Sequence, residues 1–259
     1  MADTKVVRNA DAPWEEFSSE LYFADNYSTV LPEDREIIER VSDFFGRVFE
    51  QRDSVNLAID VGSGPNLYPA LLMLPWTRQI LFTDYSTRNI NWLQQHLTMN
   101  ESDWVGAPFW EEIAHRPGYD HIAEPRKQLS LACSSDSGQV GIRRQNIFKL
   151  PKQRWELGTM FFVAESITED FEEFRAAIRR FVGALVPGAP FAAAFMAESD
   201  GYKVAEERFP ALKITMSDVE KCFLELEPSE LSHYETQTLH KVRDGYTGMI
   251  VITGITRGR

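Results

Sequence analysis

The stretch Leu57-Ala58-Ile59-Asp60-Val61-Gly62-Ser63-Gly64-Pro65, with Ile80-Leu81-Phe82-Thr83-Asp84-Tyr85 following it, constrains the fold of this chain more than any other. A short apolar run bounded by turn residues reads as a buried parallel strand, and two glycines let the backbone bend sharply into a helix. The second run ends on an acid. In an open α/β sheet, ligands bind in the crevice outside the carboxyl ends of the strands, so the glycine turn and Asp84 fall at one site. Backbone can approach a ligand closely at such a turn, and a strand-end carboxylate can accept two hydrogen bonds from a ribose diol. The pair describes a nucleoside pocket.

The dinucleotide fingerprint G-x-G-x-x-G has a third glycine that packs the helix tightly beside a pyrophosphate. Leu67 stands in that place here. The turn therefore disfavours a nicotinamide-dependent oxidoreductase and suits a nucleoside carrying an amino-acid tail, of which S-adenosylmethionine is an example. Taken alone, it also suits another nucleotide or a bare structural bend.

With 259 residues the chain can bury one sizeable α/β core. A formal net charge of −12 argues against nucleic acid or an anionic membrane as partner. No apolar run approaches the ~18 residues of a membrane span, and Met1-Ala2-Asp3-Thr4-Lys5 lacks a signal peptide's apolar core. Cys133 and Cys222 offer neither a disulfide framework nor a cysteine metal site. A cytoplasmic protein without a metal is expected.

Residues 1–12 are polar and expected to fray. The aromatic segment that follows, from Trp14 through Tyr22 to Tyr27, reads either as a helix packed on the sheet or as a lid over the cofactor. A strong helix is expected over 32–52, with Glu33 and Asp34 in its first turn and Ile37, Ile38, Val41, Phe44, Phe45 and Val48 at helical spacing. Strands are expected near 56–61, 79–83, 140–147, 159–164 and 190–195, alternating with helices near 66–74, 89–97 and 171–185. Residues 100–139 read as an irregular insertion forming part of a cap, with His115 and His121 solvated rather than metal-bound. Helices are expected over 201–209 and over 217–225, the latter capped by Ser217. Two terminal strands form an antiparallel hairpin joined through Asp244-Gly245. This order gives a single domain with a mostly parallel sheet and one reversed strand.

These residues resemble the family of nicotinamide, phenylethanolamine and indolethylamine N-methyltransferases, pointing to a bacterial-type member, over nearly the whole chain from Phe17 to Gly254. Phe17-x4-Tyr22-x4-Tyr27-Ser28 is similar to the family's N-terminal lid, whose two tyrosines contact the cofactor. Ile59-Asp60-Val61-Gly62-Ser63-Gly64-Pro65-x-x-Tyr68 is similar to its cofactor turn. Thr83-Asp84-Tyr85-Ser86-x-x-Asn89 resembles the segment whose acid holds the ribose and whose asparagine contacts the cofactor. Ser199-x-x-Tyr202 and Glu206-x-x-Phe209 resemble the stretch in which a tyrosine lines the acceptor pocket, and Gly248 to Gly254 resembles the last strand. The resemblance implies a Rossmann-like class I methyltransferase fold: a seven-stranded sheet with one antiparallel strand, helices on both faces and a helical lid over residues 1–30. It also implies a monomer that uses S-adenosylmethionine on a small-molecule acceptor.

The departures bear on function. Where the family has an aspartate near the adenine, Asn146-Ile147 aligns, and an asparagine can still accept from the adenine amino group. Where family members keep an acid facing the amine, Phe195 aligns, with Glu198 the nearest acid. Glu165 is present after the fourth strand, and Asp244 lies near another amine-facing position. Methyl transfer from a sulfonium needs positioning in a dry site and a neutral nucleophile, so a carboxylate able to take a proton is useful. Glu165 and Glu198 are the candidates, with Phe17, Phe195, Tyr202 and Asp244 around the acceptor. An oxygen or sulfur acceptor, or a cofactor-binding protein without transferase activity, remains open at this point.

Overall fold

The computed structural model describes residues 6–98, 104–134, 141–236 and 245–258. Its strands are Val55–Val61 (β1), Thr77–Asp84 (β2), Ile142–Arg144 (β3), Leu157–Phe161 (β4), Pro190–Ala197 (β5), Tyr202–Val204 (β6), Glu207–Phe209 (β7), Glu230–Glu235 (β8) and Gly248–Ile255 (β9). Its helices are Ser19–Asn26 (α1), Pro32–Phe49 (α2), Tyr68–Met73 (α3), Thr87–Thr98 (α4), Ala107–Ile113 (α5), Pro125–Cys133 (α6), Phe171–Ala184 (α7) and Met216–Leu224 (α8). Seven strands form one sheet in the order β3-β2-β1-β4-β5-β9-β8. Only β9 runs against its neighbours, pairing antiparallel with both β5 and β8. The order reverses between β1 and β4, so the crevice of a doubly wound sheet opens beside the end of β1.

Central strands covered on both faces must be apolar throughout, and every residue of β5 is buried. Along it Ala192, Ala194 and Met196 join the core shared with α2 and α3, whereas Phe191, Ala193, Phe195 and Ala197 join the core under α7 and α8. The period-two alternation of a strand assigns these faces.

Pro32 opens α2, where its missing N–H costs nothing, and Asp34 accepts a hydrogen bond from the Leu31 amide at 3.1 Å. All six apolar residues expected on the inner face of this helix are buried. Each contributes roughly 1.5–3 kcal/mol by leaving water. Truncating the fully buried Phe45 to Ala would cost about 3–5 kcal/mol.

Several local expectations need correction. Residues 201–209 form the β6–β7 hairpin, not a helix; Ala205 turns it with φ +54°, and Tyr202 stacks on Phe209 with ring centroids 5.5 Å apart. The cap of α8 is Thr215, whose Oγ1 accepts from the Asp218 amide while Asp218 accepts from the Thr215 amide at 3.0 Å, so Ser217 lies inside the helix. The chain leaves β4 at Phe162, which takes φ +59°, so Glu165 sits in a loop rather than at a strand end. Residues 104–133 contribute Phe109, Ile113, Tyr119, Ile122 and Leu129 to the α2-side core. The Tyr119 hydroxyl donates to the Leu72 carbonyl at 2.6 Å. This segment flanks the sheet, and none of its described residues lines the crevice.

The expected fraying of the leader is also overturned from Val7 onward. The Val7 amide donates to Glu169 Oε2 and its carbonyl accepts from the Glu169 amide, while the Asn9 amide donates to Glu173 Oε2. These bonds strap 7–9 to the loop before α7 and its first turn. No helix among the described residues is long and apolar enough to cross a membrane.

Candidate active site

The turn after β1 is set by backbone geometry that only glycine adopts freely. Gly62 has φ +66° and Gly64 φ +57°. A Cβ on Gly62 would meet the Val163 side chain at 2.6 Å, so this glycine also lets the β4 loop close against the turn. A Cβ on Gly64 would meet nothing nearer than the Gly62 carbonyl at 3.9 Å, so space opens toward the crevice there. The Ser63 amide donates to the Thr83 carbonyl at 2.9 Å, and its hydroxyl donates to the Asp60 carbonyl at 3.1 Å.

Asp84, at the end of β2, accepts from the Gly64 amide at 2.9 Å and from the Ser86 amide at 2.8 Å. Asn89 also bonds its carboxylate, while accepting from the Ser19 hydroxyl at 2.7 Å, which pins α1 to α4. Burial pushes the Asp84 pKa up; the amides of Ser86 and Gly64 and the Asn89 side chain pull against it. The residue is 8% exposed, and that exposure faces the crevice.

Aromatic residues of the leader border the same crevice as this acid. Phe17, Tyr22 and Tyr27 line the crevice together with Gly62, Ser63, Gly64, Asp84, Tyr85, Asn89, Ile147 and Tyr202. Tyr22 lies at ring-centroid distances of 5.1 Å from Phe17, 5.9 Å from Tyr27 and 5.9 Å from Tyr202. The Tyr202 hydroxyl donates to the Ser166 carbonyl at 3.3 Å, tying the β6–β7 hairpin to the β4 loop.

Other expected site residues lie elsewhere. Asp60 is buried behind the turn, where it accepts from Thr159 Oγ1 at 2.7 Å. Burial raises its pKa to about 6, with the Thr159 and Ser63 hydroxyls opposing. Tyr68 is fully buried, stacked on Phe109 at 4.7 Å and donating to Asp34 Oδ1 at 3.4 Å; it packs edge-on to Tyr27 without lining the crevice. Asn146 Oδ1 accepts from the Phe148 amide at 2.9 Å, capping the turn at Ile147–Lys149, and its neighbour Gln145 lines the crevice instead. Phe195 packs between Phe174 and Phe223 on the α7–α8 side, because strand alternation points it away from the lid. Glu198 is half-buried at φ +56° and lines no part of the crevice. Glu165 is fully buried just behind the wall, its Oε1 accepting from the Met196 amide at 3.0 Å and the Ser166 hydroxyl at 3.2 Å. Asp244 lies outside the described residues.

Sequence reasoning did not single out Asn9, Gln145, Phe161, Phe162 or Val163 in the lining, which also includes Trp14 from the aromatic leader segment. Among the described residues no group of His, Cys, Asp and Glu is placed to hold a metal ion.

A sheet of this order with a glycine turn facing a strand-end acid defines a Rossmann-like class I methyltransferase fold. Solved structures agree on the fold: the N-methyltransferase NodS from Bradyrhizobium japonicum, crystallised with S-adenosyl-L-homocysteine, superposes with a TM-score of 0.50 at 12% identity over 93% of each chain. A SAM-dependent methyltransferase from Methanosarcina mazei gives a TM-score of 0.51 at 12% identity over 82% of this chain and 98% of its own. The chain belongs to the NNMT/PNMT/TEMT family, whose model matches residues 5–253. It is 25% identical to indolethylamine N-methyltransferase of Mus musculus over 64% of this chain, and 24% identical to nicotinamide N-methyltransferase of Homo sapiens over 64% of this chain. Each match spans 63% of the relative's own length.

Proposed function

We propose that this protein transfers a methyl group from S-adenosylmethionine to a small-molecule acceptor, an amine or heteroaromatic nitrogen, in a lidded pocket. The observation that carries the reading is the Asp84 carboxylate fixed by the Gly64 amide beneath Tyr22 and Tyr27. The cradle fits a nucleoside: an acid bordering the crevice, able to accept from a sugar hydroxyl, beside a bend with no side chain in the way at Gly64.

When bound, the cofactor supplies a methyl group on a sulfonium, open to in-line displacement. The chain's own residues do the rest by positioning and by excluding water. Asp84 and Asn89 hold the sugar, the Gly62–Gly64 turn leaves room for the amino-acid tail, and Phe17, Tyr22, Tyr27 and Tyr202 form a dry aromatic wall around the acceptor. Ser166 faces the crevice and donates to Glu165 behind it, so an acceptor proton has a route from Ser166 to that buried acid. Glu165 is thus a positioning or relay group and touches no ligand directly. On this reading the chain works as a single methyltransferase domain and a monomer, in the cytoplasm.

The cofactor-binding reading without turnover drew its motive from an acid missing at Phe195. That position faces the other core, so the motive lapses. Incubation with methyl-labelled cofactor and a panel of amines, phenols and thioethers, followed by product analysis, tests the proposal. Label on nitrogen supports it; label only on oxygen or sulfur, or none with cofactor bound, contradicts it.

A further inference from the structure

The strap formed by residues 7–9 carries a polar side chain that nothing in the fold needs. Asn9 is 4% exposed and lines the crevice. Its backbone is fully committed: the amide donates to Glu173 Oε2 at 2.9 Å and the carbonyl accepts from the Trp14 indole at 2.8 Å. Its carboxamide makes no hydrogen bond to any described residue. Facing the crevice with no protein partner, the carboxamide is free to bond a ligand there.

The position of the strap says which part of the ligand. Asp84 fixes the sugar, leaving two directions along the strand ends. One runs to the Gly62–Gly64 turn and the tyrosine lid, where the sulfur must meet the acceptor. The other runs past Tyr85 to Gln145 and Ile147, and the base takes it. Asn9 belongs to that second end. It is bonded to the first turn of α7, and α7 packs against the turn at Ile147–Lys149. The chain between Asn9 and the lid is held on the same side, by the Ser86 hydroxyl on the Trp14 carbonyl and Arg144 on Glu15. Asn146 spends its Oδ1 on the Phe148 amide and lines no part of the crevice.

We infer that Asn9 reads the polar edge of the cofactor's base, its Oδ1 accepting from the adenine amino group and its Nδ2 donating to the adjacent ring nitrogen. A side-chain amide matches adenine's donor–acceptor pair in this way wherever it meets that edge. The inference rests on the cofactor reading above, and makes the leader strap a specificity element for the base rather than a loose end.

Titration calorimetry with S-adenosylhomocysteine and its analogue lacking the 6-amino group tests it on the full chain. Wild-type protein should prefer the amino-bearing ligand about tenfold. Asn9→Ala and the similarly sized Asn9→Leu should bind the two ligands almost equally, having lost affinity mainly for the first, with melting temperatures close to wild type. A preference unchanged in both variants, or an equal loss for both ligands, overturns the inference and leaves residue 9 as packing. Wild-type protein that is folded yet binds neither ligand overturns the cofactor reading and this inference with it.

Discussion

The Gly64 amide donates a 2.9 Å hydrogen bond to Oδ2 of Asp84, joining the bend after β1 to the acid that ends β2. This one bond orders both halves of the crevice at once. It ties the glycine turn to an acid that borders the crevice.

The turn itself should tolerate no side chain at its first glycine. In Gly62→Ala, a residue at φ +66° carries a Cβ that meets Val163 at 2.6 Å, so stability should fall by about 1–3 kcal/mol. Thermal or denaturant unfolding measures the loss. Adding Val163→Ala should recover part of it by removing the clash but not the strain. Wild-type stability in the single variant would show that the turn relaxes freely.

Much of this was legible because it is local. The apolar run, the glycine bend and the acid lie within one β-α-β unit, and the helical spacing of α2 reports its own burial. The misses have physical causes. Residues 201–209 combine aromatic and charged residues without a turn signal, and only the stacking of Tyr202 on Phe209, with φ above zero at Gly201 and Ala205, makes a hairpin of them. Phe195 was placed by alignment, but the side a strand residue faces follows from register against β4 and β9, which sequence does not state. Asn9 enters the site through bonds to Glu173 and, via Val7, to Glu169, partners over a hundred and sixty positions away. No local pattern could announce them.

Stability should depend on pH through Asp34, buried in the first turn of α2 between the Leu31 amide and the Tyr68 hydroxyl. Burial raises its pKa from 3.8 to about 7, against the pull of those two bonds. A raised acid pKa means the folded state binds the proton more tightly than the unfolded chain. The protonated group's contribution is therefore complete below about pH 4 and is lost as pH rises through about 7. Asp34→Asn stays neutral, so relative to this variant the wild type should lose on the order of 1–3 kcal/mol between pH 4 and pH 8. Parallel unfolding curves for the two proteins across that window would contradict it.

Glu165 should matter to turnover more than to cofactor affinity. It contacts the crevice only through Ser166. Glu165→Gln preserves shape and the acceptor for the Met196 amide but cannot take a proton, so kcat should fall about tenfold to a hundredfold. S-adenosylhomocysteine affinity should stay within about twofold. Weakened cofactor binding with turnover intact would remove Glu165 from the proton route.

Calorimetric titration of S-adenosylhomocysteine into wild-type protein and Asp84→Ala is the decisive measurement. Wild-type protein should take up one equivalent, with affinity falling as pH drops through the raised pKa of Asp84, because the ionised acid is the stronger acceptor for the sugar hydroxyls. Asp84→Ala should bind more weakly by about 1.5–3 kcal/mol and lose that pH dependence. Equal dissociation constants for the two proteins, or no binding by folded wild type, would show that the crevice between Gly64 and Asp84 is not where this chain holds its cofactor.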